Sequence, residues 1–142
     1  MASRLNTFAP PPTRVGGYFP LRGYALVGDG RTCALTSSDG SIDWWTVPTM
    51  AAEPVFGRVL DAERGGHFSV RPQGPFEVSR GFSNDSATPE TVFRTTSGAA
   101  RLLDSLIELD SGGTQSGLVR RVVGVDGEVA IDWEVVVGER FG

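Results

Sequence analysis

Apolar and polar side chains alternate along much of this chain. In 129–137, Val129, Ile131, Trp133, Val135 and Val137 fall on one side of an extended strand and Ala130, Asp132, Glu134 and Val136 on the other. The same period of two sets Phe68 and Val70 against His67 and Ser69, and Phe76, Val78 and Arg80 against Glu77 and Ser79. A weaker version sets Cys33 and Leu35 against Thr32, Ala34 and Thr36. Strands are therefore expected at 24–28, 31–37, 42–47, 65–71, 76–82, 90–96, 99–109, 118–125 and 128–137. Only 51–60 carries a helical spacing, with Val55, Phe56, Val59 and Leu60 on one side, enough for a short helix.

Turn residues separate these runs. Asp29-Gly30, Asp39-Gly40, Ser97-Gly98 and Asp126-Gly127 each offer a glycine that can take positive φ between two strand-like segments. Asp126-Gly127 is the cleanest of these hairpin signals. Short strands joined by turns, with no βαβ alternation, predict an all-β chain folded as an antiparallel β-sandwich. Residues 1–17, with three consecutive prolines and a closing Gly16-Gly17, are expected to be a disordered tail ahead of one domain over 18–142.

Composition narrows the function classes. The chain has 142 residues, 39% of them hydrophobic, with 19 Gly and 9 Pro, which suits a single turn-rich core. Its net charge of −4 speaks against a phosphate-binding surface, so nucleic acid is not an expected partner. All 13 basic residues are Arg, a bias that suits planar recognition of carboxylates or sugars but equally follows from genome composition. A single cysteine, Cys33, allows no internal disulfide and reads as a small apolar strand residue. No segment has the length of a membrane helix and the N-terminus lacks a signal-like apolar stretch, so a cytoplasmic protein is the expectation. One histidine, His67, supplies neither a metal-ligand set nor a convincing nucleophile triad, and Gly28-Asp29-Gly30 lacks the spacing of a phosphate loop. No cofactor or metal is expected.

The order of several segments carries more information than any one of them. GDGRTCALTSSDGSIDWW at 28–45, PVFGRVLD at 54–61, GGHFSVRP at 65–72, ETVFRTTSG at 90–98, LVRRVVGVDGEV at 118–129 and the terminal ERFG follow one another without large gaps. In that order they resemble the N-terminal domain of glycoside hydrolase family 15, the bacterial glucoamylase-like enzymes and trehalases, over about residues 20–142. The resemblance implies a partial, supersandwich-like β-sandwich that precedes an (α/α)6-barrel catalytic domain. It also implies a parent enzyme that hydrolyses terminal α-glucosidic bonds with inversion. Inverting hydrolysis needs two carboxyl groups about 6.5–9.5 Å apart across the scissile bond. The family carries both in the barrel, so no catalytic residue is assigned in this chain, which is expected to be inactive alone and truncated at its C-terminal end. Thr49-Met50-Ala51-Ala52 stands where the family pattern has Arg-Phe-Asp-Ser, which removes two charges from a loop expected to face the barrel.

Three residues remain as candidates for substrate binding or domain contact: Asp43, Trp44 and Trp45. A carboxylate beside indoles is one way to build a sugar site. It is also what a buried strand Asp paired with an Arg looks like. Adjacent strand residues point to opposite faces, so at most one of Trp44 and Trp45 belongs to the core. Asp29, Gly30, Asp39, Gly40, Asp126 and Gly127 are read as turn residues, and Trp133 as core. An alternative to the enzyme-fragment reading is a stand-alone carbohydrate-binding or interaction module that uses Trp44 or Trp45.

Overall fold

The computed structural model describes residues 7–83 and 86–140. It contains two antiparallel sheets packed face to face. β1 (Tyr24–Gly28), β2 (Cys33–Ser37), β3 (Ser41–Thr46), β4 (Pro54–Phe56), β5 (His67–Pro72) and β10 (Ile131–Val136) form the first. β6 (Glu77–Phe82), β7 (Pro89–Arg94), β8 (Gly98–Glu108) and β9 (Ser116–Gly127) form the second as a simple meander. In the first sheet the order is β1-β2-β3-β5-β10, and the short β4 also pairs with β3. The chain is an all-β sandwich.

Two apolar clusters hold the sheets together. Val27, Ala34, Ile42 and Phe56 form one, joined by Trp45, Leu106 and Leu118. Val70, Val78, Phe93 and Leu102 form the other, and Phe68 packs against both. Gly40 shows why the Asp-Gly turns are where they are. Its φ is +92°, and a Cβ there would lie 2.1 Å from the Val70 carbonyl oxygen.

Four expectations from the sequence are corrected. No helix forms over 51–60. Pro54–Phe56 pairs with β3 instead, so Phe56 stacks on Trp45 at 6.2 Å, and the helical structure among the described residues is a single 3₁₀ turn at Leu21–Gly23. Asp126-Gly127 does not close a hairpin. Gly127 still pairs with Gly98, and the chain then crosses to the other sheet, where β10 pairs with β5. A Cβ on Gly127 would meet the Ser97 carbonyl oxygen at 2.2 Å, so this glycine serves a close approach at the crossover.

Trp133 is 72% exposed, not core. Its face is the expected one, because it stands opposite Val70 and two residues from the partly buried Ile131. The second sheet does not extend over it. Val135 (44% exposed) and, on β9 opposite the buried Leu102, Val122 (43% exposed) share this condition. Cys33 is half-buried, and the more deeply buried side of β2 is that of Thr32, Ala34 and Thr36.

The described part of the expected tail is also placed. Ala9 exchanges backbone hydrogen bonds with Val78 of β6, at 3.2 and 2.8 Å. Phe19 is buried edge-on against Tyr24, with ring centroids 5.7 Å apart. Residues 7–19 thus run from the second sheet to the first as a strap, while residues 1–6 lie outside the described residues.

Candidate functional site

A β-bulge builds the polar centre of the molecule. Across β2 and β3, Leu35 pairs with Trp44 and Thr36 with Ile42, so Asp43 is the extra residue with no partner on β2. Ile42 keeps its place in the core, and Asp43 is turned to the other side of the sheet at 0% exposure. Four donors surround its carboxylate there. Tyr24 Oη and Ser41 Oγ each donate at 2.6 Å, and Arg58 Nε and Arg14 Nη1 lie at 2.9 Å. Burial works against the charged form, but the Ser41 and Tyr24 hydrogen bonds and the two guanidinium groups outweigh it and hold the Asp43 carboxyl below the usual range. Tyr24 is pushed well above a normal phenol, first by burial and then by its bond to the Asp43 carboxylate.

Arg14 of the strap serves a second carboxylate as well. Its Nε and Nη2 donate to Asp39 at 2.7 and 3.0 Å, and Ser37 Oγ donates to the same group. Burial acts to lower the Arg14 pKa, but Asp39 and Asp43 together raise it. Asp39 therefore does more than shape its turn: it anchors the strap.

Beside this hub, Ser41, Ser69 and Glu134 line up across β3, β5 and β10. His67 Nε2 lies 2.6 Å from Glu134 Oε1, and Arg71 follows two residues along β5 from Ser69. These side chains, with Arg14, Asp39 and Arg58, enclose a cavity of about 170 Å³ on the outer side of the first sheet. A second polar centre lies between the sheets. Arg120 Nε bonds Asp104 at 2.7 Å, Thr36 Oγ1 donates to Asp104 at 2.9 Å, and Arg80 donates to the Gly23 and Thr36 carbonyls at 2.8 and 2.7 Å. Burial pushes Arg80 down to about 10, which still leaves it a cation at neutral pH.

The structure distributes the candidates from the sequence unevenly. Asp43 has the paired, buried setting, and its carboxylate is held by Tyr24, Ser41, Arg58 and Arg14. Trp45 packs in the core, with its buried Nε1 lacking a hydrogen-bond partner among the described residues. Trp44 is half-buried on the opposite side of β3, level with Leu35 and the exposed Leu26. Asp29 is a turn residue: it accepts from the Arg31 and Thr32 amides, both at 2.9 Å, and from Ser116 Oγ at 2.7 Å. Those hydrogen bonds, led by Thr32, outweigh burial and lower its pKa. Asp126 pairs with Ala99 of β8. Sequence reading missed Arg14, Arg58, Tyr24 and Ser41 around Asp43, since they come from separate segments with no common spacing. Among the described residues no group of His, Cys, Asp and Glu is placed to hold a metal ion, and no helix is long and apolar enough to cross a membrane.

The family described as trehalase-like, N-terminal, matches residues 18–133. The chain belongs to this family. A trehalase of Mycolicibacterium smegmatis is 34% identical over 102 residues, covering 70% of this chain and 15% of that protein. Trehalase 1 of Sulfolobus acidocaldarius is 36% identical over 80 residues, 56% of this chain and 14% of its own length. A trehalase of Thermoplasma volcanium is 33% identical over 64 residues, 45% of this chain and 10% of its own. No solved structure matches. This trehalase-like N-terminal domain thus corresponds to a small share, at most 15%, of the length of these relatives. The matched interval contains Tyr24, Asp39, Asp43 and Arg58 but not Arg14.

Proposed function

We propose that this chain is a non-catalytic structural domain of a longer glycoside hydrolase of family 15, of trehalase or glucoamylase type. The parent enzyme would hydrolyse terminal α-glucosidic bonds with inversion, in the cytoplasm, on an (α/α)6 barrel outside this chain. The observation that carries the reading is the match to trehalases over a small fraction of their length. The electrostatics support it. The buried carboxylates Asp39, Asp43, Asp104 and Glu90 are each paired with an arginine, at 2.7, 2.9, 2.7 and 3.3 Å, so their charge is committed to the fold.

An uncovered apolar surface supports the same reading. Trp133, Val135 and Val122 lie on faces turned toward the sandwich interior but uncovered, on β10 and β9. Among the described strands, β10 pairs along one edge, with β5, and β9 along one edge, with β8. Further protein packed here would bury the exposed indole and complete the hydrogen bonding of both strand edges.

The test is catalytic. Purified chain incubated with trehalose or maltooligosaccharides is expected to release no glucose. Turnover that disappears on substitution of an Asp or Glu of this chain overturns the proposal.

A further inference from the structure

The cavity beside Asp43 has unused hydrogen-bonding capacity of a particular kind. Arg14 spends all its nitrogens on Asp39, Asp43, Ser37 and the Gly17 carbonyl. Arg58 spends Nε on Asp43 and Nη2 on Ser41, which leaves Nη1. Arg71 is exposed, and neither it nor the Ser69 hydroxyl has a partner among the described residues. Glu134 meets His67 through Oε1, which leaves its second oxygen as an acceptor. Free donors and a free acceptor therefore line one small space.

The charges around that space balance. Arg14, Arg58 and Arg71 face Asp39 and Glu134 on the wall and Asp43 behind it. An anion entering here meets two carboxylates, and a cation meets Arg58 and Arg71. A neutral molecule rich in hydroxyl groups meets neither penalty, because each hydroxyl donates to a carboxylate oxygen while accepting from a guanidinium or serine. Size sets a second limit. The cavity of about 170 Å³ is smaller than the roughly 300–1,000 Å³ of pockets that take drug-sized ligands, so it suits one sugar ring rather than two. Its lining holds no Trp, Tyr or Phe ring for stacking, which predicts weak binding.

We infer that this cavity binds a neutral polyol of monosaccharide size, through hydrogen bonds to Arg58, Ser69, Arg71 and Glu134. The site uses neither Trp44 nor Trp45. It is independent of the function proposed above, since a structural domain without catalysis and a stand-alone module can both carry it.

The test is a titration of the 142-residue chain with glucose, followed by amide proton and nitrogen chemical shifts. The expected result is saturable shifts confined to 39–41, 58, 67–71 and 132–136, around the cavity lining, with dissociation in the millimolar range. Arg71→Ala and Ser69→Ala, both folded by their amide spectra, should each weaken binding about tenfold, a change of roughly 1.4 kcal/mol. Trehalose should bind no more tightly than glucose. Absence of saturable shifts up to about 100 mM glucose, which is far above a millimolar constant, overturns the inference. So do shifts spread over the whole surface, or gluconate binding more tightly than glucose, which would mark an anion site.

Discussion

Arg120 and Asp104 face each other on β9 and β8 as a two-point ion pair, Nε to Oδ1 at 2.7 Å and Nη2 to Oδ2 at 3.2 Å, with both side chains 1% exposed. The same guanidinium reaches across to the first sheet, where Nη1 donates to the carbonyls of Gly40 and Phe68. One side chain therefore satisfies buried acceptors in both layers.

Removing Arg120 alone is expected to be severe. Arg120→Met leaves Asp104 as a buried charge without its main partner and should lower unfolding stability by about 3–5 kcal/mol. The double variant Arg120→Met with Asp104→Leu should recover much of that loss, because the uncompensated charge is gone. Urea unfolding of the two variants measures this; equal losses would contradict it.

Acid sensitivity should centre on Asp43. Its folded pKa lies below the unfolded value, so its stabilising contribution is complete above the ordinary carboxylate range and is lost as pH falls through that range toward the depressed value. Asp43→Asn is expected to destabilise the protein at neutral pH and to flatten the acid limb of its stability curve. Tyr24 has the opposite sign. Its raised folded pKa gives a contribution present below about pH 10 and lost above it, so Tyr24→Phe should flatten the alkaline limb. Thermal melts at several pH values would show unchanged limbs if these linkages are wrong.

Gly40→Ala is expected to cost more than the roughly 1–3 kcal/mol of a strained backbone conformation alone. The added methyl meets both an unfavourable φ and the Val70 carbonyl, and it threatens the 2.8 Å bond from the Val70 amide to the Gly40 oxygen. Gly74, with φ +72° and open space around it, is the control: alanine there should pay only for the backbone conformation. Similar losses at both sites would argue against the close approach.

The tryptophans should separate by role. Trp45→Ala removes a core ring stacked on Phe56 and is expected to cost about 3 kcal/mol. Trp133→Ser should change stability by no more than about 0.5 kcal/mol while reducing self-association. Denaturant midpoints and sedimentation velocity distinguish them. A destabilised Trp133 variant would mean that this indole is already packed.

Much of the sandwich was legible because local signals agreed with the fold. Positive φ at Gly30 and Gly40 falls in the predicted turns, and the nine expected strands have counterparts in the structure. The misreadings share one cause: alternation tells which side of a strand is apolar, not what lies opposite. Trp133 has the right face and no cover, and Asp126-Gly127 has turn chemistry at a crossover between sheets. In 51–60 the helical spacing lost to pairing with β3, which a local pattern does not encode. The hub around Asp43 was illegible for a similar reason, since Arg14, Tyr24 and Arg58 reach it from 29, 19 and 15 residues away.

The strap gives the amino-terminal boundary an energetic meaning. Family similarity begins at residue 18, yet Arg14, four positions earlier, supplies one of the two cations that neutralise Asp43 and the guanidinium that holds Asp39. A version cut back to residues 18–133 would keep every strand through β9 and half of β10 but strip positive charge from two buried acids. Such a pruned chain should melt earlier and tolerate mild acid better relative to its own neutral stability, since protonation would relieve a repulsion that the intact N-terminus already cancels.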